Sequence, residues 1–162
     1  MLTDIDVAKY FLGKDNDHSV FNNNLITRNG RTFYEGNARL NKYLHLTQNI
    51  YIAMHGKPLF ETVFYAYANG AVSKVVQENY ARLTKVDNEV HILYADTNYL
   101  NKVYEILKDA NIDELIDLSH EDKEWQEKSR FYNLNDQIMN SMSHVDEYKK
   151  QYKDIVKYIE RM

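Results

Sequence analysis

Residues 37–58 read NARLNKYLHLTQNIYIAMHGKP, and the spacing within this stretch decides the fold class. Leu40, Tyr43, Leu44, Thr47, Tyr51 and Met54 recur at intervals of three and four, the repeat that lines one face of an α-helix. Asn37 suits an N-cap, because its short side chain can accept from amides that lack an intrahelical partner. Gly56 followed by Pro58 supplies a left-handed C-cap and a stop. The pattern predicts a helix over 38–55.

On the N-terminal side, Asn29-Gly30 stands between Leu25-Ile26-Thr27 and Thr32-Phe33-Tyr34, a two-residue turn signal that predicts a loop carrying a β-hairpin. Earlier still, Thr3 precedes Asp6 in a capping-box pattern, and Ile5, Ala8 and Leu12 follow at helical spacing, so a first helix is expected at 4–12. On the C-terminal side, Glu61 to Ala68 is rich in Val, Phe and Tyr, which suits a strand, although the aromatic spacing also fits a helix. Ser73 is placed to cap a helix with Val75, Val76, Asn79, Tyr80 and Leu83 as its buried stripe. Val90-His91-Ile92-Leu93-Tyr94 has β propensity, and Asp96 then caps a helix carrying Leu100, Val103, Leu107 and Ala110, stopped at Asn111. Ile112 to Leu118 is a further short helix, Ser119-His120-Glu121-Asp122 reads as a capping box leading to Trp125, and 135–161 is the longest periodic segment. In that last segment Ile138, Met142, Val145, Tyr148 or Tyr152, Ile155 and Ile159 form the apolar stripe. The expected fold is mainly α, a compact multi-helix domain spanning 1–162 with a small β element, α+β being the alternative label. Tyr43, Leu44, Tyr51, Phe60 and Trp125 are expected to pack together in its core.

Composition agrees. The chain has 162 residues, the size of one domain, and only five Gly and one Pro, too few for a turn-dense all-β fold. With 44% hydrophobic and 27% charged residues and a net charge of -4, it has the make-up of a globular protein. The absence of Cys excludes disulfides, thiolate metal sites and a cysteine nucleophile, and fits a reducing compartment. Met1 to Phe11 lacks the basic and long apolar regions of a signal peptide, and no apolar run is long enough to span a bilayer, so a cytoplasmic protein with no membrane partner is expected. The 14 Tyr and 17 Asn fit an AT-rich coding sequence filling tolerant surface positions, or a tyrosine-bearing binding surface.

Catalytic patterns are missing. There is no Walker loop, no G-x-G-x-x-G, no G-x-S-x-G and no H-E-x-x-H, so no catalytic residue, metal ligand or cofactor is assigned. The six His never stand three or four apart, the spacing that would put two imidazoles on one helical face. His120 beside Glu121 and Asp122 resembles an acid-base cluster, yet carboxylates in a helix's first turn are favoured by its dipole without catalysis. Charge is uneven. Arg28, Arg31, Arg39 and Lys42 are interleaved with Phe33, Tyr34 and Tyr43, a mixture open to reading as a charged loop, a protein contact or a nucleic-acid contact, the last disfavoured by the acidic balance of the chain. From Glu105 to Glu127, nine carboxylates face only Lys108 and Lys123, a field suited to a solvated face or to steering a basic partner.

Several segments carry a family resemblance. Asp6-Val7-Ala8-Lys9-Tyr10-Phe11-Leu12 is similar to the opening helix of the Panacea-domain antitoxins, the SocA-like or GepA-like proteins frequent in prophages. Leu40-Asn41-Lys42-Tyr43-Leu44 with Gln48 resembles that family's K-L-Q-K-L-L-Y-x-A-Q run. Gly56-Lys57-Pro58-Leu59-Phe60 matches its G-K-P-L-F, Tyr65 to Val72 is similar to its A-W-x-x-G-P-V turn, and Ser119 to Trp125 to its T-H-x-x-x-x-W. Tyr67 stands where the family has Trp, Ala71 where it has Pro and Asn41 where it has Gln, and 25–36 is an added element.

The resemblance implies a small protein that neutralises a co-encoded toxin by binding it, without catalytic residues of its own. It also implies that Lys42, Gln48, Pro58, Phe60, Tyr67, Gly70, His120 and Trp125 are family positions with structural roles. Some relatives act as adaptors to a protease, so a host protease or chaperone is a second partner class. A phage protein that binds a host factor, and behind it a DNA-binding regulator, are the alternatives; the latter lacks a basic recognition helix. For partner binding, two sets are singled out: Arg31, Phe33 and Tyr34, which combine aromatic anchors with Arg, and the acidic Asp113, Glu114, Asp117 and Glu121.

Overall fold

A computed structural model describes residues 1–85, 90–130 and 137–162. Strand β1 (Leu2–Thr3) leads into helix α1 (Asp4–Lys14), which Thr3 starts with a complete capping box closed by Asp6. Strands β2 (Leu25–Arg28) and β3 (Arg31–Tyr34) pair antiparallel about Asn29 and Gly30, both at positive φ (51° and 73°), as a tight hairpin of opposite-handed turn residues requires. Helix α2 (Glu35–His55) follows directly and ends at Gly56, whose φ of 71° and amide bond to the Ile52 carbonyl form the expected left-handed cap.

The start of α2 differs from the sequence reading. Asn37 lies inside the first turn and the capping position belongs to Tyr34, which offers no side-chain acceptor. The backbone supplies the cap instead: the Glu35 and Gly36 amides donate to the carbonyls of Asn24 and Asn22 at 2.8 and 2.9 Å. The loop preceding the hairpin therefore replaces a side-chain cap and lets the helix begin earlier.

Helix α2 is the axle of the fold. Every residue from 41 to 50 is buried, so the helix is covered on all sides, although it carries Lys42, His45, Thr47, Gln48 and Asn49. Against it pack Phe11 of α1 and Phe21, whose rings meet Tyr43 edge-on with centroids 5.5 and 5.1 Å apart. Gln48 uses its whole amide to hold the next segment, accepting from Leu59 N at 2.9 Å and donating to the Phe60 carbonyl at 2.7 Å. This fixes β4 (Phe60–Glu61) beside β1, to which it pairs in parallel. Pro58 is half-buried on the same connection.

The ambiguous 61–68 stretch is extended: β5 (Phe64–Tyr67) pairs antiparallel with β6 (Gly70–Ser73). Gly70 opens β6 at a φ of 120° that favours glycine. Ser73 caps α3 (Lys74–Leu83) through the Val76 amide, as expected, but Val75 is exposed and Asn79 only half-buried; Val76, Tyr80 and Leu83 form the inner stripe.

Further on, four local expectations are corrected. Residues 90–93 have no strand partner among the described residues, and β propensity without a neighbouring strand does not make a sheet; Tyr94 instead begins α4 (Tyr94–Leu107). Asp96 sits in the first turn of α4, where its charge suits the dipole, but it is not the cap. Asn111 does not stop α4; it caps α5 (Ile112–His120) in a reciprocal box with Glu114. Ser119 and His120 still belong to α5, and Asp122, one residue before α6 (Lys123–Ser129), is the true cap, accepting from Glu124 N at 2.9 Å.

The expected continuous helix at 135–161 is divided, and 135–136 lie outside the described residues. Residues 137–139 run alongside β5, with Ala66 N and Met139 N bonded to the Gln137 and Phe64 carbonyls. A 3-10 turn (Ser141–His144) leads to α7 (Val145–Gln151), and Tyr152 separates it from α8 (Lys153–Arg161). Ile138 and Met142 are exposed, whereas Tyr148, Tyr152 and Ile159 are buried; each short helix keeps its own stripe, so a three-and-four repeat survives across the breaks. The architecture is mainly α with three two-stranded sheets among the described residues. Tyr43, Leu44 and Phe60 are core residues as expected, while Tyr51 and Trp125 are only half-buried against the core.

Candidate functional site

Between the hairpin, α2 and the β5–β6 turn lies a pocket of about 430 Å³ whose wall includes Arg31, Phe33, Lys42, Tyr67, Asn69 and Gln77. Lys42 is its unusual member. Its side chain is 1% exposed, and it has neither a hydrogen bond nor an ion pair among the described residues. Burial lowers its ammonium pKa to about 8, with no carboxylate among the described residues to hold it up.

The wall beside Lys42 is pinned from behind. His120 Nε2 meets the Ala68 carbonyl at 3.0 Å, and Trp125 Nε1 donates to the Tyr67 carbonyl at 2.8 Å. The two rings stack, with centroids 4.0 Å apart and planes 10° from parallel. Burial, ahead of the Ala68 hydrogen bond that opposes it, lowers the His120 pKa. A Cβ at Gly70 would overlap Ser119 Oγ and come within 3.0 Å of Lys42 Cε, so glycine is what lets β6 pass between the two. Lys42, Tyr67, Gly70, His120 and Trp125 are thus brought to one place, whereas Gln48, Pro58 and Phe60 act together at the β4 end of α2.

Behind this wall lies a polar network that the sequence reading missed. His45 Nε2 donates to Asp122 Oδ2 at 2.6 Å and Nδ1 meets Ser119 Oγ at 2.8 Å. Asn49 Nδ2 donates to Asp122 at 3.0 Å and to the Tyr152 hydroxyl at 3.3 Å, while the Tyr148 hydroxyl donates to Asp122 Oδ1 at 2.7 Å. Burial pushes Asp122 up, but the bonds from His45, Asn49 and Tyr148 outweigh it and bring its pKa to about 2. Ser119, His45 and Asp122 have the connectivity of a nucleophilic triad. All three are fully buried, however, and the Ser119 hydroxyl is closed in by Gly70 and by the Ala71 amide, so the set ties α2 to α5, α6 and α7. The available signal was His45 and Asn49, one turn apart on the helix that the sequence predicts most clearly.

The two partner-binding sets lie side by side. Arg31 and Tyr34 are exposed and Phe33 is half-buried in the pocket wall. Asp113, Glu114, Asp117 and Glu121 are all exposed on or just after α5. Arg28 joins the sets, its guanidinium lying 2.6 Å from Asp113, and Asn69 holds the hairpin turn through Asn29 and the Arg28 carbonyl. Hairpin, pocket mouth and acidic helix face consequently form one continuous surface.

A separate cluster brings Glu124, Glu127 and His144 together, with one ligand atom from each within 4.8 Å of the others. These donor types suit a divalent metal. Lys128 lies 3.6 Å from Glu124 in the same cluster, and His144 Nε2 lies 3.3 and 3.4 Å from the Glu124 and Glu127 carboxylates without a hydrogen bond to either. His120, Glu121 and Asp122 do not converge: the first stacks on Trp125, the second faces solvent and the third is buried on His45.

No described helix is long and apolar enough to cross a membrane. No curated protein and no solved structure matches the chain. Residues 40–126, more than half of the chain and all of the pocket wall except the hairpin and the first turns of α2, match the family model described as antitoxin SocA-like, Panacea domain.

Proposed function

The chain belongs to the antitoxin SocA-like, Panacea-domain family, and from that premise we propose that it neutralises a co-encoded toxin by binding it directly. The family match over residues 40–126 carries this reading. The toxin is the product of an adjacent frame in a prophage or other mobile element, and the complex forms in the cytoplasm through association alone, with no bond made or broken in either partner. The continuous surface of hairpin, pocket mouth and acidic α5 face supports the reading. It offers exposed aromatic and Arg side chains beside a field of like charge, which provide anchoring and steering respectively. The hairpin stands outside the family-matched segment, which suits an element that adapts a shared scaffold to its own toxin.

The test is co-expression with each neighbouring open reading frame. One neighbour arrests growth when expressed alone, and this chain restores growth and co-purifies with it at a fixed stoichiometry. If no neighbour is toxic or bound, the antitoxin reading is abandoned.

A further inference from the structure

We propose that the pocket between the hairpin, α2 and the β5–β6 turn receives the side-chain carboxylate of an Asp or Glu of the bound protein partner, with the Lys42 ammonium as its counter-ion. The proposal rests on the antitoxin reading and specifies one contact within it.

A lysine that is 1% exposed and unpaired is a standing cost to the fold, because a buried charge is tolerated when it is paired or solvated. Among the described residues no side chain pairs with it. Among the described residues no Asp or Glu lines the pocket; the charged and titratable groups there that face Lys42 are Arg31 of β3, Tyr67 of β5 and His120 of α5, with His45 beyond Ser119, none of them a carboxylate. Burial lowers the Lys42 pKa and no described carboxylate offsets it, which leaves the amine open to a counter-charge brought by a partner.

The number of charges selects the ligand. One ammonium is neutralised by one monoanion, and a carboxylate is a monoanion at neutral pH; a phosphate group would bring a further negative charge into a site with no second buried cation. On the wall, the Gln77 amide and the second N–H of Asn37 and of Asn69, whose first N–H groups are held by the Gln77 and Arg28 carbonyls, provide donors for the remaining carboxylate lone pairs. The volume of about 430 Å³ exceeds a single carboxyl group, and Phe33 and Tyr67 give apolar wall for the chain that carries it. The mouth opens onto the hairpin, where exposed Arg31 and Tyr34 continue the same surface, so the carboxylate arrives on a protein rather than as a free acid. Arg31 at the mouth supplies the attraction that guides it.

Two measurements on the full chain decide this. In the first, lysine side chains are labelled with carbon-13, the Lys42 resonance is identified by its loss in Lys42→Met, and acetate, N-acetylglutamate methylamide and inorganic phosphate are titrated separately. A saturable shift of Lys42 with both carboxylates, at least tenfold weaker with phosphate, is expected. No saturable shift with either carboxylate, or phosphate binding as tightly as they do, overturns the ligand class. In the second, the complex with the neighbouring toxin is measured for wild type and Lys42→Met, whose fold is checked by its melting temperature. Affinity should fall at least tenfold, and an Asp→Asn or Glu→Gln change at one acidic residue of the toxin should give the same loss without adding to Lys42→Met. Unchanged affinity in Lys42→Met overturns the inference while the antitoxin reading stands. Carboxylate binding in the first measurement with no toxin found in the second reassigns the pocket to a free acid and overturns both the protein source and the antitoxin reading.

Discussion

Replacing Asp122 by Ala removes the acceptor on which four donors converge: His45 Nε2, Asn49 Nδ2, the Tyr148 hydroxyl and the Glu124 amide. Asp122 is fully buried, so water does not reach the donors left behind. Each unpaired buried donor costs about 1–3 kcal/mol, and the lost cap of α6 about 1 kcal/mol. With partial relaxation of the Asn49 amide onto Tyr152, the net loss is about 4–6 kcal/mol, comparable to the whole stability of a small domain. Asp122→Asn keeps the shape and one acceptor, and should lose about half as much. Urea unfolding followed by Trp125 fluorescence and far-ultraviolet circular dichroism reads both. The pH dependence provides a second check. With a folded pKa of about 2, below the unfolded value of about 3.9, the unfolded chain takes up the proton first as pH falls. The stabilisation is therefore complete above about pH 5 and is lost from about pH 4 downward through pH 2, by about 2 kcal/mol. The gap between wild type and Asp122→Asn should shrink by that amount over the same interval. A loss below about 1 kcal/mol in Asp122→Ala, or a gap independent of pH, refutes the assigned role of the network.

Trp125→Ala should destabilise by about 2–3 kcal/mol, less than a fully buried aromatic, because the ring is half-exposed and held by the His120 stack and the Tyr67 carbonyl; an unchanged melting temperature would remove it from the pocket wall. In the toxin complex, Asp117→Lys combined with Glu121→Lys should slow association and flatten its salt dependence, whereas Phe33→Ala combined with Tyr34→Ala should speed dissociation, both read by stopped-flow or surface-binding kinetics. If neither pair changes its rate, both contact assignments fail. Elemental analysis of the purified protein should find no stoichiometric metal; one equivalent would assign Glu124, Glu127 and His144 as ligands.

What could be read from the sequence was what neighbouring residues decide. Asn29-Gly30 is sufficient for the hairpin and Gly56 for the end of α2, because each acts through its own φ. The start of α2 was misplaced because its cap is the backbone of residues 22 and 24, which no side-chain preference announces. The segment 90–93 was misread because strand formation depends on a partner that the fold does not supply there. At the candidate site, the hairpin residues and the family positions were visible one by one, but their meeting was not. Lys42 looked like one cation among several until α2 was seen to be covered on every side. Asp122 looked like part of a helix start, and its bonds to His45 and Asn49 span 77 and 73 residues, a separation at which local pattern carries no information.

The burial of α2 also sets an order of events when the chain is made. The helix emerges from the ribosome before the groups that satisfy His45 and Asn49, which are Ser119, Asp122 and Tyr152, the last synthesised about a hundred residues later. Until then α2 carries imidazole and amide groups that are better left in water than packed, so the covering helices have nothing stable to close upon. Completion of the core is thereby deferred until Tyr148 and Tyr152 have been made. A transcript cut short before the codon for Tyr148 yields a chain that exposes this helix to proteases rather than a shortened but working protein.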